Sequence, residues 1–368
     1  MENPSNKEPN WIAGIKPPDE VLAMNITEIY EMECREQPKR LADLFQAYRE
    51  NPEILADLER LRQLASGSGP VLFIGMGASY CASIAGSVWM QSCGRSSFYE
   101  DAGEWLHYAG PVWNQIAGTV LTTASGESAE LVRLCKELSG GKPLVLLCNN
   151  QKSACWAIAK HRFALVAGAE YANATKTYTN AAAACILLAS QMAGRAWYDD
   201  AEKLLDMYAS ALNDIFSFRN DLEEFCRGAA NIELVGRGAG YGGAIMGSLC
   251  IREMTGKRAA AHTGAGFRHG PILDVNESHV AIISALGHTA DLGVKLAEDC
   301  NARGGKVILV SSEDHKRSEK LLPVKIAAVP EPWEAITSVL APQALTLSMI
   351  KKYGANLKPR FHYGTMKE

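Results

Sequence analysis

Leu121–Ser128 reads LTTASGES and joins a short apolar run to a helical pattern. This order predicts a buried strand, a hydroxyl-rich turn and a helix. A helix start offers unpaired backbone N–H groups and the positive end of the helix dipole, and Gly126 lets a ligand approach the backbone closely. Thr123, Ser125 and Ser128 add hydroxyl donors. The turn therefore suits a phosphate, although a helix start capped by Ser125, with Ser128 beside it, accounts for the same residues.

A second pattern of this kind precedes the first. Val71–Ile74 is apolar, Gly75–Ser79 reads GMGAS, and a helix of small residues follows. A dinucleotide fingerprint would require a third glycine where Tyr80 stands, so this turn does not predict a nucleotide cofactor. It offers Gly77 and Ser79 instead as further contacts for an anion.

Composition bounds the class of protein. The chain has 368 residues, 47% of them hydrophobic and 21% charged, which is enough for two globular domains with sizeable cores. Its net charge of −4 argues against nucleic acid as a partner. The ten cysteines form no CxxC pair, so we expect buried free thiols in a reducing compartment and no metal site.

The sequence predicts neither a leader nor a membrane segment. Met1–Pro18 lacks the apolar core of a signal peptide, and the small-apolar run Ala181–Ala189 is too short to span a bilayer. We therefore expect a cytoplasmic protein without a membrane partner and without a cofactor.

The strand–turn–helix pattern repeats in the second half of the chain. Gly236–Tyr241 reads GRGAGY and matches Gly75–Tyr80, which reads GMGASY, at an offset of 161 (236 − 75). The same offset brings Gly126 to Gly287 (287 − 126), and a third strand start matches later in each half. Such matches in one order indicate an internal duplication of a doubly wound α/β domain.

The two copies differ in their hydroxyl groups. In the second copy Ser79, Ser125 and Ser128 are replaced by Gly240, Leu286 and Thr289. Ligands of such sheets bind beyond the carboxyl ends of the strands, so we expect the anion in the first domain.

The remaining elements follow from periodicity and from Gly/Pro signals. Val21–Glu50 is predicted to be helical and to be broken into two pieces by Pro38, and Ile54–Ala65 is predicted to form another helix. Phe163–Val166 is interpreted as a fourth strand, and Lys257–Pro271 as an irregular glycine-rich loop.

The second copy also carries acid–base groups. Glu253 lies on the predicted helix Ala244–Met254, and His269 lies in the loop that follows. A carboxylate and an imidazole near a phosphate site suit proton transfer at a carbon next to a carbonyl, or loss of an amine. The apolar helix around Glu253 predicts poorly hydrated surroundings that would make it a better proton shuttle. A surface pair of Glu253 with Lys257, and a turn-capping role for His269, are the alternatives.

From about Ile26 onward these residues resemble the two-domain sugar isomerase (SIS) family, whose best-known member is the isomerase half of glucosamine-6-phosphate synthase. The matching motifs are Gly75–Ser79, Ser125–Ser128, Ala172–Lys176, Glu253 and Phe267–Pro271. The resemblance implies an α/β fold of tandem duplicated, doubly wound parallel-sheet domains of flavodoxin-like type after a helical N-terminal segment. No glutaminase domain precedes the match, so we do not expect glutamine-dependent synthesis.

The resemblance also implies roles for individual residues. The sugar-phosphate contacts fall on Ser79, Thr123, Ser125 and Ser128, with Gly77 and Gly126 in the same turns. The enolisation carboxylate falls on Glu253, the ring-opening histidine on His269, and the lysine of the closing C-terminal tail on Lys367. In the synthase the neighbouring subunit lends the histidine, which implies a homodimer here. Cys250 stands where the synthase has a lysine, and this favours the deglycase and deaminase branches over plain isomerisation.

We therefore predict a phosphosugar enzyme that acts on a nitrogen-bearing hexose 6-phosphate, as a deglycase, a deaminase or a ketose–aldose isomerase. The alternative is a non-catalytic sugar-phosphate sensor. The expected domains are an N-terminal arm and helices (1–50), a first, phosphosugar-binding SIS domain (51–218), a second domain with the catalytic pair (219–350) and a closing tail (351–368).

Overall fold

The fold is taken from a computed structural model, which describes residues 16–52, 54, 56, 59, 69–140, 143–195, 201–354 and 356–360. Two N-terminal helices, α1 (Asp19–Leu22) and α2 (Ile26–Glu50), precede the sheets. Most of the predicted helix Ile54–Ala65 lies outside the described residues.

The first half contains a five-stranded parallel sheet in the order β2-β1-β3-β4-β5. Its strands are β1 (Val71–Gly75), β2 (Ser97–Asp101), β3 (Gly118–Thr123), β4 (Leu144–Cys148) and β5 (His161–Ala164). Its helices are α3 (Ala78–Ser92), α4 (Ala102–Tyr108), α5 (Ala129–Ser139), α6 (Ala154–Ile158) and α7 (Lys176–Met192). β1, β3 and β4 are almost wholly buried, because helices cover both faces of the sheet.

Helices α8 (Ala201–Ser217) and α9 (Arg219–Phe225) lead to a second five-stranded parallel sheet in the order β10-β9-β8-β6-β7. Its strands are β6 (Asn231–Gly236), β7 (Ala259–Thr263), β8 (His279–Ala285), β9 (Lys306–Ser311) and β10 (Leu321–Lys325). Its helices are α10 (Gly240–Thr255), α11 (Gly264–Arg268), α12 (Ala290–Ala302), α13 (Glu334–Thr337) and α14 (Leu340–Tyr353).

Numbered within its own half, each sheet has the order 2-1-3-4-5, the flavodoxin-like arrangement. The glycines at the matched turns also share a left-handed backbone: φ is +55° at Gly77 and +53° at Gly238, and +66° at Gly126 and +67° at Gly287. The prediction of two parallel-sheet α/β domains after a helical segment is confirmed, and the shared order and turn geometry are what a duplication predicts.

The prediction that Pro38 breaks the first helix is wrong, since α2 runs without interruption from Ile26 to Glu50. Proline lacks the N–H group that would donate to the carbonyl of Cys34, four residues earlier. The side chain of Gln37 replaces that donor, because its Nε2 donates to the Cys34 carbonyl at 3.0 Å. The helix therefore continues with its buried carbonyl satisfied.

Two further sequence predictions need correction. The Lys257–Pro271 segment is not an irregular loop but contains the edge strand β7 and the short helix α11. The strand predicted at Phe163–Val166 ends at Ala164, and Val166 adopts a φ of +55°.

The two halves pack through the helices that follow the first glycine turn of each sheet, α3 and α10. A Cβ atom on Gly242 would lie 2.4 Å from the carbonyl oxygen of Cys81, so only glycine allows this approach. All ten cysteines are free thiols and nine of them are buried, as expected. Among the described residues, no helix has the length and apolar character needed to cross a bilayer.

Candidate functional site

Two turns of the first domain meet at the point where the order of its strands reverses. β1 and β3 are neighbours, and the chain leaves them in opposite directions, to β2 and to β4. The turn after β1 contains Gly77 and Ser79, and the turn after β3 contains Ser125 and Gly126. A crevice at such a switch point is where doubly wound sheets bind ligands.

The hydroxyl groups of these turns have different partners. Thr123 is 2% exposed, and its Oγ1 accepts from the backbone N–H of Gly126 at 3.0 Å. Ser125 Oγ accepts from the Glu127 N–H at 3.3 Å, so it shapes the turn and is not the N-cap of α5. That N-cap is Ser128, whose side chain makes no capping hydrogen bond. The Ser128 hydroxyl therefore does not cap α5 through its side chain and remains available to bind a phosphate.

The corresponding turns of the second domain face carboxylates from the chain itself. Glu331 Oε1 accepts from the backbone N–H of His288 at 2.7 Å, and a Cβ on Gly287 would lie 2.5 Å from it. Glu334 Oε1 lies 3.7 Å from the position of a Cβ on Gly238. At Gly77, the counterpart in the first domain, a Cβ would meet no atom within 4 Å. Carboxyl side chains thus stand where an anion would bind in the second copy.

Glu334 is buried, with 8% of its surface exposed, and its Oε2 has no hydrogen-bond partner. Burial and the charge of Glu331 raise the pKa of Glu334 to about 7. Burial acts in the same direction on Glu331, but the hydrogen bonds and charge of His288 lower the pKa of Glu331 overall.

The loop 165–175 joins β5 to α7 and passes over the carboxyl edge of the first sheet. Asn149, directly after β4, holds its first part. Asn149 Oδ1 accepts from the Ala167 N–H at 3.0 Å, and Asn149 Nδ2 donates to the Gly168 carbonyl at 2.7 Å. The loop is therefore anchored next to the turn that follows β3.

Two carboxylates hold the second part of this loop. Glu33 of α2 is fully buried and accepts from the backbone N–H groups of Tyr171 and Ala172, the latter at 3.2 Å. Burial and the charge of Glu170 raise the pKa of Glu33 well above its usual value. Glu170 Oε1 accepts from the N–H and Oγ1 of Thr175 at 2.8 and 2.7 Å. At the start of α7, the Glu170 side chain thus accepts from the backbone N–H groups of Thr175 and Lys176, as an N-cap side chain would.

Glu253, from the second domain, contacts the loop 165–175 at the carboxyl edge of the first sheet. It lies on the last turn of α10, and its Oε2 accepts a hydrogen bond from Nδ2 of Asn173, on the loop of the first domain. Oδ1 of Asn173 accepts in turn from the thiol of Cys250 at 3.1 Å. Burial raises the pKa of the Cys81 thiol, and the negative charge of Glu253 adds to this rise. The carboxylate is therefore close to the helix that starts with the Ser79 turn.

The prediction of poorly hydrated surroundings for Glu253 is wrong, because its side chain is exposed in the single chain. Ile251 and Met254, its apolar neighbours in sequence, are buried, whereas the Glu253 side chain reaches solvent. The alternative pairing with Lys257 is not found either among the described contacts; Lys257 Nζ lies 4.1 Å from the ring centre of Tyr353 instead.

His269 lies elsewhere in the same chain. It follows α11, whose start is capped by Thr263 Oγ1 accepting from the Gly266 N–H at 3.1 Å. α11 begins at the carboxyl end of β7, whereas Glu253 lies near its amino end, and a five-residue strand is about 16 Å long. One chain therefore does not bring Glu253 and His269 together, and His269 is exposed.

The C-terminal segment contacts the Asn173 loop. The backbone N–H of Arg360 donates to the Tyr171 carbonyl at 2.6 Å, and its Nη2 donates to the Ala172 carbonyl at 3.4 Å. Lys367, which the resemblance assigns to the closing tail, lies outside the described residues. Within the described ranges, no cluster of His, Cys, Asp and Glu could hold a metal ion.

Comparison with known proteins shows what this architecture is similar to. Residues 227–351 match the family model described as SIS domain, so the predicted resemblance to the SIS family is confirmed. The matched residues lie in the second half of the chain, and a solved structure with a similar fold covers most of the chain.

The similar proteins carry the names of different enzymes. A glutamine–fructose-6-phosphate aminotransferase (isomerizing) from Zymomonas mobilis is 25% identical over 308 residues, 78% of this chain and 50% of the relative. The chain thus spans about half the length of that protein. The tagatose-6-phosphate ketose/aldose isomerase of Escherichia coli has a TM-score of 0.76 at 16% identity, over 96% of this chain and 99% of that one. A glucosamine-6-phosphate deaminase from Thermotoga maritima has a TM-score of 0.65 at 14% identity, over 86% and 95%.

Sequence reasoning missed Asn173, Glu331 and Glu334. Asn173 lies inside the matched motif Ala172–Lys176. Its polar side chain within that motif was the signal by which the sequence could have identified it. The two glutamates lie in PEPWE, which leads into the short helix α13 and carries no periodic pattern.

Proposed function

We propose that this protein is an enzyme that acts on a six-carbon sugar phosphate bearing nitrogen, releasing an amine or ammonia. The observation that supports this most is the hydrogen bond between Asn173 and Glu253, since it joins a carboxylate of the second domain to the edge of the first domain that carries the hydroxyl-rich turns. The match of residues 227–351 to the SIS domain model and the names of the similar proteins support a sugar phosphate as the substrate.

In this proposal the phosphate binds to the turns that contain Gly77, Ser79, Thr123, Ser125, Gly126 and Ser128. Their hydroxyls, the backbone N–H groups and the start of α5 supply charge-assisted hydrogen bonds, with a dipole contribution of about 0.3–1 kcal/mol. The sheet of the second domain offers no such site, because Glu331 and Glu334 face its turns.

Glu253 would act as the base. For a ketose with an amine on C1, it removes a proton from C1 and returns it to C2, while the N–H proton of the amine moves to the oxygen on C2, which converts the amino ketose into a 2-hydroxy imine at C1. Water then adds to the imine, the amine leaves, and an aldose phosphate remains. A 2-amino aldose follows the same steps with C1 and C2 exchanged. Without hydrolysis of an imine, the same proton shift interconverts a ketose and an aldose, which is the second candidate reaction and the activity named for the Escherichia coli relative.

His269 would assist ring opening from the neighbouring subunit of a homodimer, a proposal that fits its distance from Glu253 within one chain. Lys367 is proposed to belong to the tail that closes the site, since Arg360 already contacts the Asn173 loop. The ten free thiols suit a reducing compartment, and we propose the cytoplasm as the setting.

The test is ³¹P NMR of the protein with glucosamine 6-phosphate, a fructosyl-amino-acid 6-phosphate and fructose 6-phosphate, each alone and all together. Loss of the second signal defines a deglycase, loss of the first a deaminase, and conversion of the third an isomerase. Signals that broaden without conversion indicate a sensor and contradict the enzyme proposal.

The role of the base is tested with Glu253→Gln, which should lower kcat by about 10²–10⁴-fold and leave phosphosugar binding nearly unchanged. Glu298→Gln is the matched control, because Glu298 is an exposed glutamate on a helix, α12, of the same domain. Turnover that survives Glu253→Gln would show that another group is the base.

A further inference from the structure

Asn173 is nearly inaccessible, with 2% of its surface exposed, and both the nitrogen and the oxygen of its side-chain amide form hydrogen bonds. Nδ2 donates to Oε2 of Glu253, and Oδ1 accepts from Sγ of Cys250 at 3.1 Å. A carboxylate only accepts and a thiol donates, so these two partners permit one orientation of the amide.

The geometry of α10 brings the two partners of Asn173 to one face of the helix. Cys250 and Glu253 are three residues apart, and side chains at i and i+3 of a helix lie on the same face. The amide of Asn173 spans that face from the first domain. Cys250 is fully buried, and burial raises the pKa of its thiol, so the proton that Asn173 requires stays on sulfur.

The hydrogen bond takes one oxygen of the Glu253 carboxylate and leaves the other. Among the described residues, Oε1 of Glu253 has no hydrogen-bond partner. An exposed glutamate side chain otherwise samples several rotamers, and a base must hold its lone pair toward one carbon of the substrate.

We propose that Asn173 is a positioning residue, which fixes Glu253 by Oε2 so that Oε1 carries the proton, and that Cys250 acts through Asn173 by fixing the orientation of the amide. The inference rests on the proposed function of Glu253. It adds that the geometry of the base in the second domain is set by a loop of the first domain, which Glu33 and Glu170 hold in place.

The kinetic test uses Asn173→Ala, Cys250→Ala and their double variant. Asn173→Ala should lower kcat by about 10- to 100-fold, the range for loss of a hydrogen bond to a charged group, with KM changed less than about threefold. Cys250→Ala should cost about threefold or more alone and nothing further in the Asn173→Ala background, whereas Cys250→Ser, which keeps a donor, should restore most of the rate.

Two controls separate this proposal from the proposed function. If Glu253→Gln is inactive but Asn173→Ala retains kcat within about threefold of the wild type, the positioning role is wrong and the function stands. If Glu253→Gln stays active, the assignment of the base is wrong. Cys300→Ala removes another buried thiol of the second domain and should leave the rate unchanged.

A second measurement does not depend on turnover or on the folding of Asn173→Ala. In a protein labelled with ¹⁵N-asparagine, the side-chain amide of Asn173, assigned by its loss in Asn173→Asp, should shift in Glu253→Gln and in Cys250→Ala but not in Cys300→Ala. An amide signal that ignores both changes would overturn the proposal, whatever the substrate.

Discussion

Glu331 Oε1 lies 2.7 Å from the backbone nitrogen of His288 and 2.5 Å from His288 Nδ1, so the turn after β8 is bound by a carboxylate of its own chain. Gly287 in this turn and Gly126 in the first domain have φ values within 1° of each other, +67° and +66°. The two turns therefore have the same backbone conformation at this glycine, but only the turn of the second domain is bound by Glu331. This asymmetry gives the phosphate assignment a test within one molecule.

Ser128→Ala should weaken phosphosugar binding by about tenfold or more, since a hydroxyl donor to a charged group is lost. Thr289→Ala removes the hydroxyl at the corresponding position of the second domain (289 − 128 = 161) and should leave affinity unchanged. Because the Ser128 side chain makes no capping bond, Ser128→Ala should change the free energy of unfolding by less than about 0.5 kcal/mol. Calorimetric titration with a hexose 6-phosphate and urea denaturation measure the two quantities. Equal losses of affinity in both variants would contradict the placement of the phosphate.

Mixed subunits should recover activity if His269 is lent across a dimer interface. Glu253→Gln and His269→Asn homodimers should each be inactive, because every site lacks one group. After unfolding and refolding at equal concentrations, half of the dimers are mixed, and each contains one intact site, so about a quarter of the wild-type activity should return. A mixture as inactive as its components would show that both groups come from one chain.

Glu334 should make stability fall as the pH rises. Its pKa lies near 7 in the folded protein against an ordinary value of 4.5, so the folded state binds the extra proton between these values. The stabilisation by that proton is complete below pH 4.5 and is lost as the pH rises through 7. Glu334→Gln should therefore gain about 1–3 kcal/mol in the free energy of unfolding, relative to the wild type, between pH 5 and pH 8. Urea denaturation at both pH values measures the gain, and a difference that does not change with pH would refute the buried titration.

Gln37 should be needed for the stability of the fold, because Pro38 has no N–H group to donate to the Cys34 carbonyl. It is fully buried and donates to the Cys34 carbonyl, while its Oε1 accepts from Thr179 Oγ1 at 2.6 Å and from the Tyr208 hydroxyl at 3.1 Å. Gln37→Leu should cost about 2–4 kcal/mol in the free energy of unfolding, since several buried polar groups lose their partner.

Part of that cost should return in the double variant Gln37→Leu/Pro38→Ala, because an alanine N–H can donate to the Cys34 carbonyl itself. Pro38→Ala alone is the control. A double variant no more stable than Gln37→Leu would mean that the carbonyl of Cys34 does not need the glutamine.

The sequence predicted the turns well because their chemistry is local. Gly126 needs a positive φ, and a Cβ there would lie 2.2 Å from Ser153 Oγ, so a glycine followed by a helical pattern carries the geometry by itself. The strands β1, β3 and β4 were equally visible, since a strand buried on both faces appears as a continuous apolar run.

What the sequence did not predict depends on distant partners. Glu253 and its donor Asn173 are 80 positions apart (253 − 173), and no spacing rule joins them. The rule that proline breaks a helix considers the backbone alone. At Pro38 the side chain of Gln37 supplies the missing donor, so the helix continues. Edge strand β7 consists largely of alanine and so lacks the β-branched signal of a strand.

The paired left-handed glycines give the protein engineer a starting point. The turn at Gly287 already has the backbone of the turn at Gly126, and its occupant is a single side chain, Glu331, that can be exchanged. Grafting serines at Leu286 and Thr289 while shortening Glu331 would rebuild the hydroxyl set on a backbone that needs no redesign. The duplicated fold is thus a ready scaffold for a receptor with two anion sites.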